Sequence, residues 1–426
     1  MTKTLQTWHF EMNNDQWVEL VLSGKKTAVT SLYNGNDISH VEEEAILIFD
    51  NEKKACLTKT KKVIITEFKN INEDLSNLEG IGTLTEWKKA YTHYFKTRCS
   101  NFTEDTKVVF KIFEVKENLV KQRLELAEKI VRANKDIIGD KKSIEEINAG
   151  FNNSLFSVND QYILKVCGES EKEASFDVEV NFYHRNQDNK NIPTLYKYDN
   201  SKGVGPYVYE ILEKVDGKSV YYHWYKMSEQ QREEWVKELV DVLRKMHSNE
   251  GVKYDWSAAI KASILSSFNK TTNLFSEDES YVIMNSLDQY DEILSDNTFC
   301  CIHNDLHFDN ILLDSSQKIK LIDFNDSITA PFDFDLRLLY MSVFFPWKWA
   351  NIEMDSFQKT EDYQNLFHYI KKYYTKLNAV KYLEERMIIY WILYDFELLS
   401  KFRNNEEKER ILMNCKKILN TIIIER

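Results

Sequence analysis

The segment CIHNDLHFDNILLDSSQKIKLIDFNDS, residues 301–327, holds the densest set of groups able to do chemistry. Asp305 and Asn310 stand five residues apart, and Asp323 follows a second short apolar run. The runs Ile311–Leu313 and Ile319–Ile322 read as two strands of a tight hairpin, which returns Asp323 to the place of the first two. Three oxygen-bearing side chains then converge on one point. Such a set suits phosphoryl transfer. That reaction asks a protein for a carboxylate to orient or deprotonate the acceptor hydroxyl, and for oxygen ligands to Mg²⁺ ions that neutralise the phosphates. Single Asp or Asn residues in turns are ordinary loop chemistry. The ordered set His303, Asp305, Asn310, Asp323 and Asp335, bounded by strands, is harder to assign to chance.

HNDLHFDN resembles the HxDxxxxN catalytic loop of the aminoglycoside phosphotransferase and choline kinase family, and IDFND resembles its DFG-like metal-binding segment. The resemblance implies ATP and Mg²⁺ as cofactors, Asp305 as catalytic base, and Asn310 and Asp323 as magnesium ligands. Asp335, in FDFDLRLLY, matches an acid that braces the catalytic loop. His303 is expected to support the loop from the core, and His307 receives no role.

The other half of such a site lies upstream. Lys165 in QYILKV is placed on a strand, where its ammonium would meet the α/β-phosphates. The family pairs this lysine with a helical glutamate. Glu179 fits, because Phe176, Val180 and Tyr183 give its helix an apolar side, and Glu173 is its rival. The segment NAGFNNSLFSV would cover the phosphates with backbone N–H groups and Ser154. Its only glycine is Gly150, with Asn152 and Asn153 able to take tight turns. VYEILEKVDGKSV resembles the hinge between lobes, with Glu210, Ile211 and Leu212 presenting backbone groups to adenine. The acceptor implied is a small-molecule hydroxyl compound, often an amine, held by acids among Asp326, Asp333, Asp395 and Glu397. Aminoglycosides, choline-like alcohols, sugars and amino alcohols all remain open.

These residues need a β-rich lobe followed by a helical one. Phe151–Val158 and Gln161–Val166 read as a hairpin turning at Asn159-Asp160, and later helices bury Trp235, Leu239, Val242, Leu243 and Met246. The expected division is a first domain at 1–118, a helical linker at 119–140, and a bilobal kinase-like domain at 141–426 with lobes near 141–212 and 213–426. The fold class is α+β.

Residues 1–118 mix strands (AILIFD, ACLTKT, KVIITEF, VVFKIFEV) with short helices. One helix is expected to be capped by Asn14 and ended by Gly24, and another places Trp87, Ala90, Tyr91 and Tyr94 on one face. A small barrel wrapped by helices fits that order. ELVLSGKKTAVTSLY, NLEGIGTLTEWKKAYTHYF and DTKVVFKIFEV resemble the ASCH family, which is PUA-like. The resemblance implies binding of RNA or a nucleoside, and a possible second site built on a Lys, a Thr and a Glu. Lys26 and Glu79 fit two of these, but Val29 stands at the Thr position, between Thr27 and Thr30. Hydrolysis and simple binding both stay open. So does the plainest reading, a cation covering a helix end beside a loop acid.

The whole chain, 426 residues, is 43% hydrophobic and 29% charged, which is globular and sized for two or three cores. Its abundance of Lys, Asn, Ile and Tyr over Gly and Pro reads as AT-rich bacterial codon usage. A net charge of −12 argues weakly against broad nucleic-acid binding. No secretory signal or apolar run of about 20 residues is present, so a cytoplasmic, membrane-free protein is expected. Six cysteines show neither a CxxC pair nor metal-ligand spacing. The leading expectation is an ATP- and Mg²⁺-dependent phosphotransferase. Its rival is a non-catalytic nucleotide- or RNA-binding regulator with a degenerate kinase fold.

Overall fold

The computed structural model describes residues 5–11, 13–35, 40–50, 52–147, 153–167, 173–248, 250–295, 297–346, 348, 350, 352–401 and 405–424. Two compact units divide the chain. The first is Met1–Asp160 with Leu164–Ser170 and Asn200–Val208; the second is Gln161–Ile163, Glu171–Asp199 and Tyr209–Arg426.

In the first unit five strands form a sheet: β1 (Gln6–Trp8), β2 (Ala28–Leu32), β3 (Glu44–Ile48), β4 (Lys54–Glu67) and β5 (Lys107–Asn118), in the order β1-β3-β4-β5-β2. β1 runs parallel to β3, and the other neighbours are antiparallel. ACLTKT and KVIITEF read as two strands, yet they are the single strand β4. Register shifts at Leu57/Thr58 and Thr60/Lys62 let one long strand bend instead of stopping, and such bulges curl a sheet. The period of two divides β5 between cores. Val108, Phe110 and Ile112 pack with Ala28, Phe68, Trp87 and Phe95, whereas Phe113 packs with Phe10, Val18, Val21 and Leu47.

Asn14 does not cap its helix. It is the first helical residue of Asn14–Leu22, preceded by Asn13 at φ 48°. Its buried side chain accepts from Phe10 N–H at 2.8 Å and donates to the Ile48 carbonyl at 3.0 Å, tying the helix start to β3. The helix Leu84–Lys96 has a full capping box, Thr83 with Glu86. The helix Leu119–Ala133 follows, capped by Asn118, with Ala127, Ile130 and Val131 buried. β6 (Ile144–Ile147) then pairs antiparallel with β7 (Asn153–Val158). Asn159 and Asp160 follow at φ 54° and 58°. Two successive positive φ angles make the type I′ turn that Asn and Asp tolerate, and it leads into β8 (Tyr162–Cys167).

After Gln161–Ile163 the second unit contains the helix Glu173–Arg185, then β9 (Leu195–Asp199) antiparallel to β10 (Tyr209–Glu213). Later strands are short: β11 (Gly217–Ser219), β12 (Phe299–Ile302), β13 (Ile311–Asp314), β14 (Ile319–Leu321) and β15 (Ile328–Pro331). β11, β13 and β14 form one antiparallel sheet, and β12 pairs with β15. At Gly217 a Cβ would come within 2.5 Å of the Leu313 carbonyl oxygen, so only glycine lets β11 approach β13. The rest is helical, with long helices at Glu229–Met246, Trp256–Asn269, Leu383–Lys401 and Asn405–Ile424 around one large apolar core. Among the described residues no helix is long and apolar enough to cross a membrane.

Candidate active site

β12 and the β13–β14 hairpin hold the residues that the sequence singled out. Between β12 and β13 the chain alternates: Leu306 and Phe308 are fully buried, while Asp305, His307 and Asp309 turn away from the core. Phe308 is the anchor. Its ring meets those of Tyr221, Trp224, Trp235 and Tyr363 at centroid distances of 5.0 to 5.5 Å. With that side chain fixed, the 3₁₀ turn Phe308–Asn310 folds back over Asp305. Asn310 Nδ2 donates to the Asp305 carbonyl at 2.9 Å and to its Oδ2 at 3.1 Å. The Asn310 amide oxygen is the polar end left to turn toward a ligand.

The hairpin brings Asp323 to the same place, since Ile322 N–H donates to the Asn310 carbonyl at 3.1 Å. Asp323 is exposed and sits at φ 65°, a left-handed conformation rare for non-glycine residues and frequent at functional turns. Asn325 Nδ2 donates to its Oδ1 at 2.6 Å. Next to it Phe324 is buried, stacked on Phe182 at 4.1 Å and edge-on to Tyr183 at 5.5 Å. Both partners belong to the Glu173–Arg185 helix, so the ring that follows Asp323 joins that helix to the loop.

Asp335 braces the loop from below. Fully buried, its carboxylate accepts the backbone N–H of His303 at 3.2 Å and of Asn304 at 2.7 Å, and lies 2.9 Å from His247 Nε2. Burial pushes the Asp335 carboxyl up, but the His247 contact and the Asn304 backbone hydrogen bond outweigh it, and the group is held below its ordinary value. His303 is a core histidine: Nε2 donates to the Ile322 carbonyl at 2.9 Å, and Nδ1 accepts Asp305 N–H at 3.3 Å. Asn304 sits at φ 68°, and its carbonyl and amide oxygens accept from the buried Arg337 guanidinium at 2.6 and 3.0 Å. Sequence reasoning missed His247, which sits far along the chain with no motif to mark it, and Arg337, two residues after Asp335, whose reach to Asn304 no local pattern shows.

Burial raises the Asp305 carboxyl. The His307 hydrogen bond and the Arg337 charge act against it and hold the group well below the usual carboxylate range. Asp305 is therefore an anion near neutral pH. As an anion it can orient a hydroxyl and accept its proton.

The other predicted residues are placed as follows. Glu179 is fully buried on the Glu173–Arg185 helix and accepts from Tyr183 O–H at 3.2 Å. Glu210, also fully buried, and Leu212 lie on β10, paired with β9 through Tyr209–Leu212. The charges of Glu179, Glu210 and Asp323 all reach Tyr183, whose phenol is raised by burial first and then by these three. The sequence offered Glu210 only for its backbone; its side chain belongs to this acidic group. Lys165 is buried on β8 and Ser154 on β7. Residues 148–152 of the expected phosphate loop, Gly150 and Asn152 included, lie outside the described residues. Of the acids offered for the acceptor, Asp333 is closed by Arg386 at 2.7 and 3.0 Å. Asp395 is closed by Lys348 at 2.7 Å and Trp391 at 3.1 Å. Asp326 is exposed and Glu397 half-buried.

Among the described residues no three His, Cys, Asp or Glu side chains gather to hold a metal. Asn310 and Asp323 still fit Mg²⁺, which is commonly held by one or two protein oxygens while phosphates and water supply the rest.

The first unit contains its own polar cluster. A backbone strap positions it, with Thr27 and Ala28 N–H both donating to the Leu78 carbonyl at 2.7 and 3.1 Å. Lys26 Nζ then donates to Glu79 Oε2 at 2.8 Å, Thr30 Oγ1 to Oε1 at 2.5 Å, and Tyr91 O–H to Oε2 at 2.5 Å. Lys26 also lies 4.9 Å from the Trp17 ring and 5.3 Å from Phe10. Val29 points into the apolar core beside Trp8 and Phe113, and the hydroxyl comes from the next residue. A Lys, a Thr and a Glu thus meet after all. Tyr91 was legible only as an apolar helix position.

A family model described as "Phosphotransferase enzyme family" matches residues 143–366, more than half of the chain. The chain belongs to the phosphotransferase enzyme family. A second model, the ASCH domain, matches residues 6–117. The phosphotransferase region has a kinase-like fold, a β-rich lobe followed by a helical one, and the ASCH domain is PUA-like. Among solved structures, aminoglycoside phosphotransferase APH(2'')-Ib bound to ADP aligns at 18% identity and TM-score 0.50, covering 69% of this chain and 97% of that one. The GDP and kanamycin complex of APH(2'')-IIIa aligns at 13% identity and TM-score 0.51, covering 71% and 99%. An ASCH domain from Lactobacillus crispatus JV V101 aligns at 25% identity and TM-score 0.25, covering 26% and 79%. No curated protein matches the chain. At such identities the structural neighbours speak for the fold alone.

Proposed function

We propose that the phosphotransferase domain moves the γ-phosphoryl group of ATP to a hydroxyl of a small molecule, aminoglycoside-, amino-alcohol- or sugar-like. The observation that carries this reading is the Asp305–Asn310–Asp323 arrangement. One carboxylate is fixed and ionised by its own loop, and a hairpin delivers an amide and an exposed carboxylate beside it. Asp305 orients the acceptor hydroxyl and receives its proton as the bond to the γ-phosphorus forms and the bond from that phosphorus to the departing ADP breaks. Asn310 and Asp323 would hold Mg²⁺, which when bound supplies charge neutralisation at the phosphates. Lys165 and Ser154 would contact phosphate oxygens, Glu179 would orient Lys165, and Glu210 and Leu212 would lie along the nucleotide base. Nucleotide-bound neighbours of the same fold agree with this assignment.

The ASCH domain would take RNA or a nucleoside-sized ligand beside Lys26 and Glu79. In this structure three donors already occupy the Glu79 carboxylate, which favours binding over hydrolysis by that group.

A titration of the full chain with Mg·ATP tests the nucleotide half of the proposal. Asp323→Ala should weaken binding at least about tenfold, the loss of one charge-assisted ligand. Unchanged affinity would remove Asp323 from the metal site.

A further inference from the structure

His307 has no role in the reading above, yet its ring is held from both sides. Nδ1 lies 3.2 Å from the Asp309 backbone N–H, which caps the turn Phe308–Asn310. Because a backbone N–H only donates, Nδ1 must be the acceptor, and a neutral ring then carries its hydrogen on Nε2. Nε2 lies 3.4 Å from Asp305 Oδ2 and 3.3 Å from Asn310 Nδ2. The Asn310 amide already donates to Asp305, so the Nε2 hydrogen has Asp305 Oδ2 as its acceptor. One oxygen of the carboxylate thus faces two donors, from residues two and five positions along the chain.

We propose that His307 is a positioning residue for Asp305: with Asn310 it holds Oδ2 and thereby reserves Oδ1 for the acceptor hydroxyl. This rests on the assignment of Asp305 as the group that meets the acceptor. It adds a reason for the geometry. A free carboxylate rotates about its Cβ–Cγ bond and offers either oxygen, whereas a pinned one presents a single lone-pair direction to the substrate. The 3.4 Å separation is long for a hydrogen bond without substrate, as catalytic contacts often are before they tighten.

Two substitutions separate this role from simple capping of the turn. In His307→Asn the amide oxygen replaces Nδ1, so the cap to Asp309 survives and the donor to Asp305 is lost. In His307→Gln the amide nitrogen reaches the place of Nε2, so the donor survives and the cap is lost. The readout is Mg²⁺-dependent ATP turnover by the full chain, with the fastest acceptor found or with water where none exceeds it. His307→Ala and His307→Asn should lower kcat by about 10- to 100-fold with the KM for ATP within about threefold, while His307→Gln stays within about tenfold of wild type. Activity kept by His307→Asn and lost in His307→Gln would leave only the cap and overturn the proposal, and equal activity of the two, or loss in all three, would overturn it as well.

Histidine-selective ¹⁵N labelling gives a second readout that needs no turnover. The neutral His307 ring should carry its hydrogen on Nε2, and Asp305→Asn should shift that Nε2 resonance. An Nδ1–H ring, or no response, would overturn the proposal. Turnover kept by Asp305→Asn would instead sink the underlying site assignment, a failure readable apart from that of His307.

Discussion

At the scale of single residues, the two polar clusters differ in what they leave open. Asp305 is pinned through Oδ2 and keeps Oδ1 available, whereas Glu79 has donors on both oxygens. Asp305→Asn should reduce turnover by at least about a thousandfold and leave the Kd for Mg·ATP within about tenfold, because the carboxylate acts chiefly as the transition state forms. Kinetics beside a binding titration check both halves. Lys26 and Glu79 form an ion pair closed from solvent, with side-chain exposures of 2% and 0%. Removing one member leaves a buried uncompensated charge, so Lys26→Met should destabilise the ASCH domain by about 3–5 kcal/mol in denaturant unfolding. Asp305, Asn310 and Asp323 were legible because motif order shows in one short segment. Thr30 was not, since whether residue 29 or 30 faces Glu79 depends on the pleat phase of β2, which only the strand's pairing with β5 fixes.

Among the elements, the Asp305–Asn310 loop owes its shape to the buried residues behind it. Phe308→Ala would empty a pocket walled by four aromatic rings, with an expected loss of about 3–5 kcal/mol. A drop in thermal midpoint together with lost turnover is the predicted result. Asp335 adds a pH signature. Its folded carboxyl lies below the unfolded value of about 3.9, so its stabilisation is complete above that value and fades as pH falls through the lower, folded one. The stability gap between wild type and Asp335→Asn should thus be constant above about pH 5 and shrink below about pH 4. A gap that widens on acidification would contradict the brace. The Asn159-Asp160 turn was legible from residue type alone. The joined strand β4 was not, because its bulges depend on pairing with β5 and leave no local mark.

For the molecule as a whole, an ASCH domain and a phosphotransferase domain share one chain with a net charge of −12. A strongly acidic protein gains little from the counterion release that drives non-specific nucleic-acid binding. Random RNA should therefore fail to bind measurably at about 0.15 M salt, leaving a compact, specific ligand for the ASCH domain, and retention on random RNA would count against this. The fold class was legible because motif order and lobe order agree. The acceptor was not: two of its four candidate acids, Asp333 and Asp395, are closed by Arg386 and Lys348, cations no local pattern pairs with them. The most direct test is Mg²⁺-dependent ATP consumption by the full chain across aminoglycosides, amino alcohols, sugars and nucleosides, with Asp305→Asn as control. Acceptor-stimulated turnover that disappears in the mutant is the predicted result. Equal turnover by Asp305→Asn, or failure of the wild type to bind Mg·ATP at all, would contradict it.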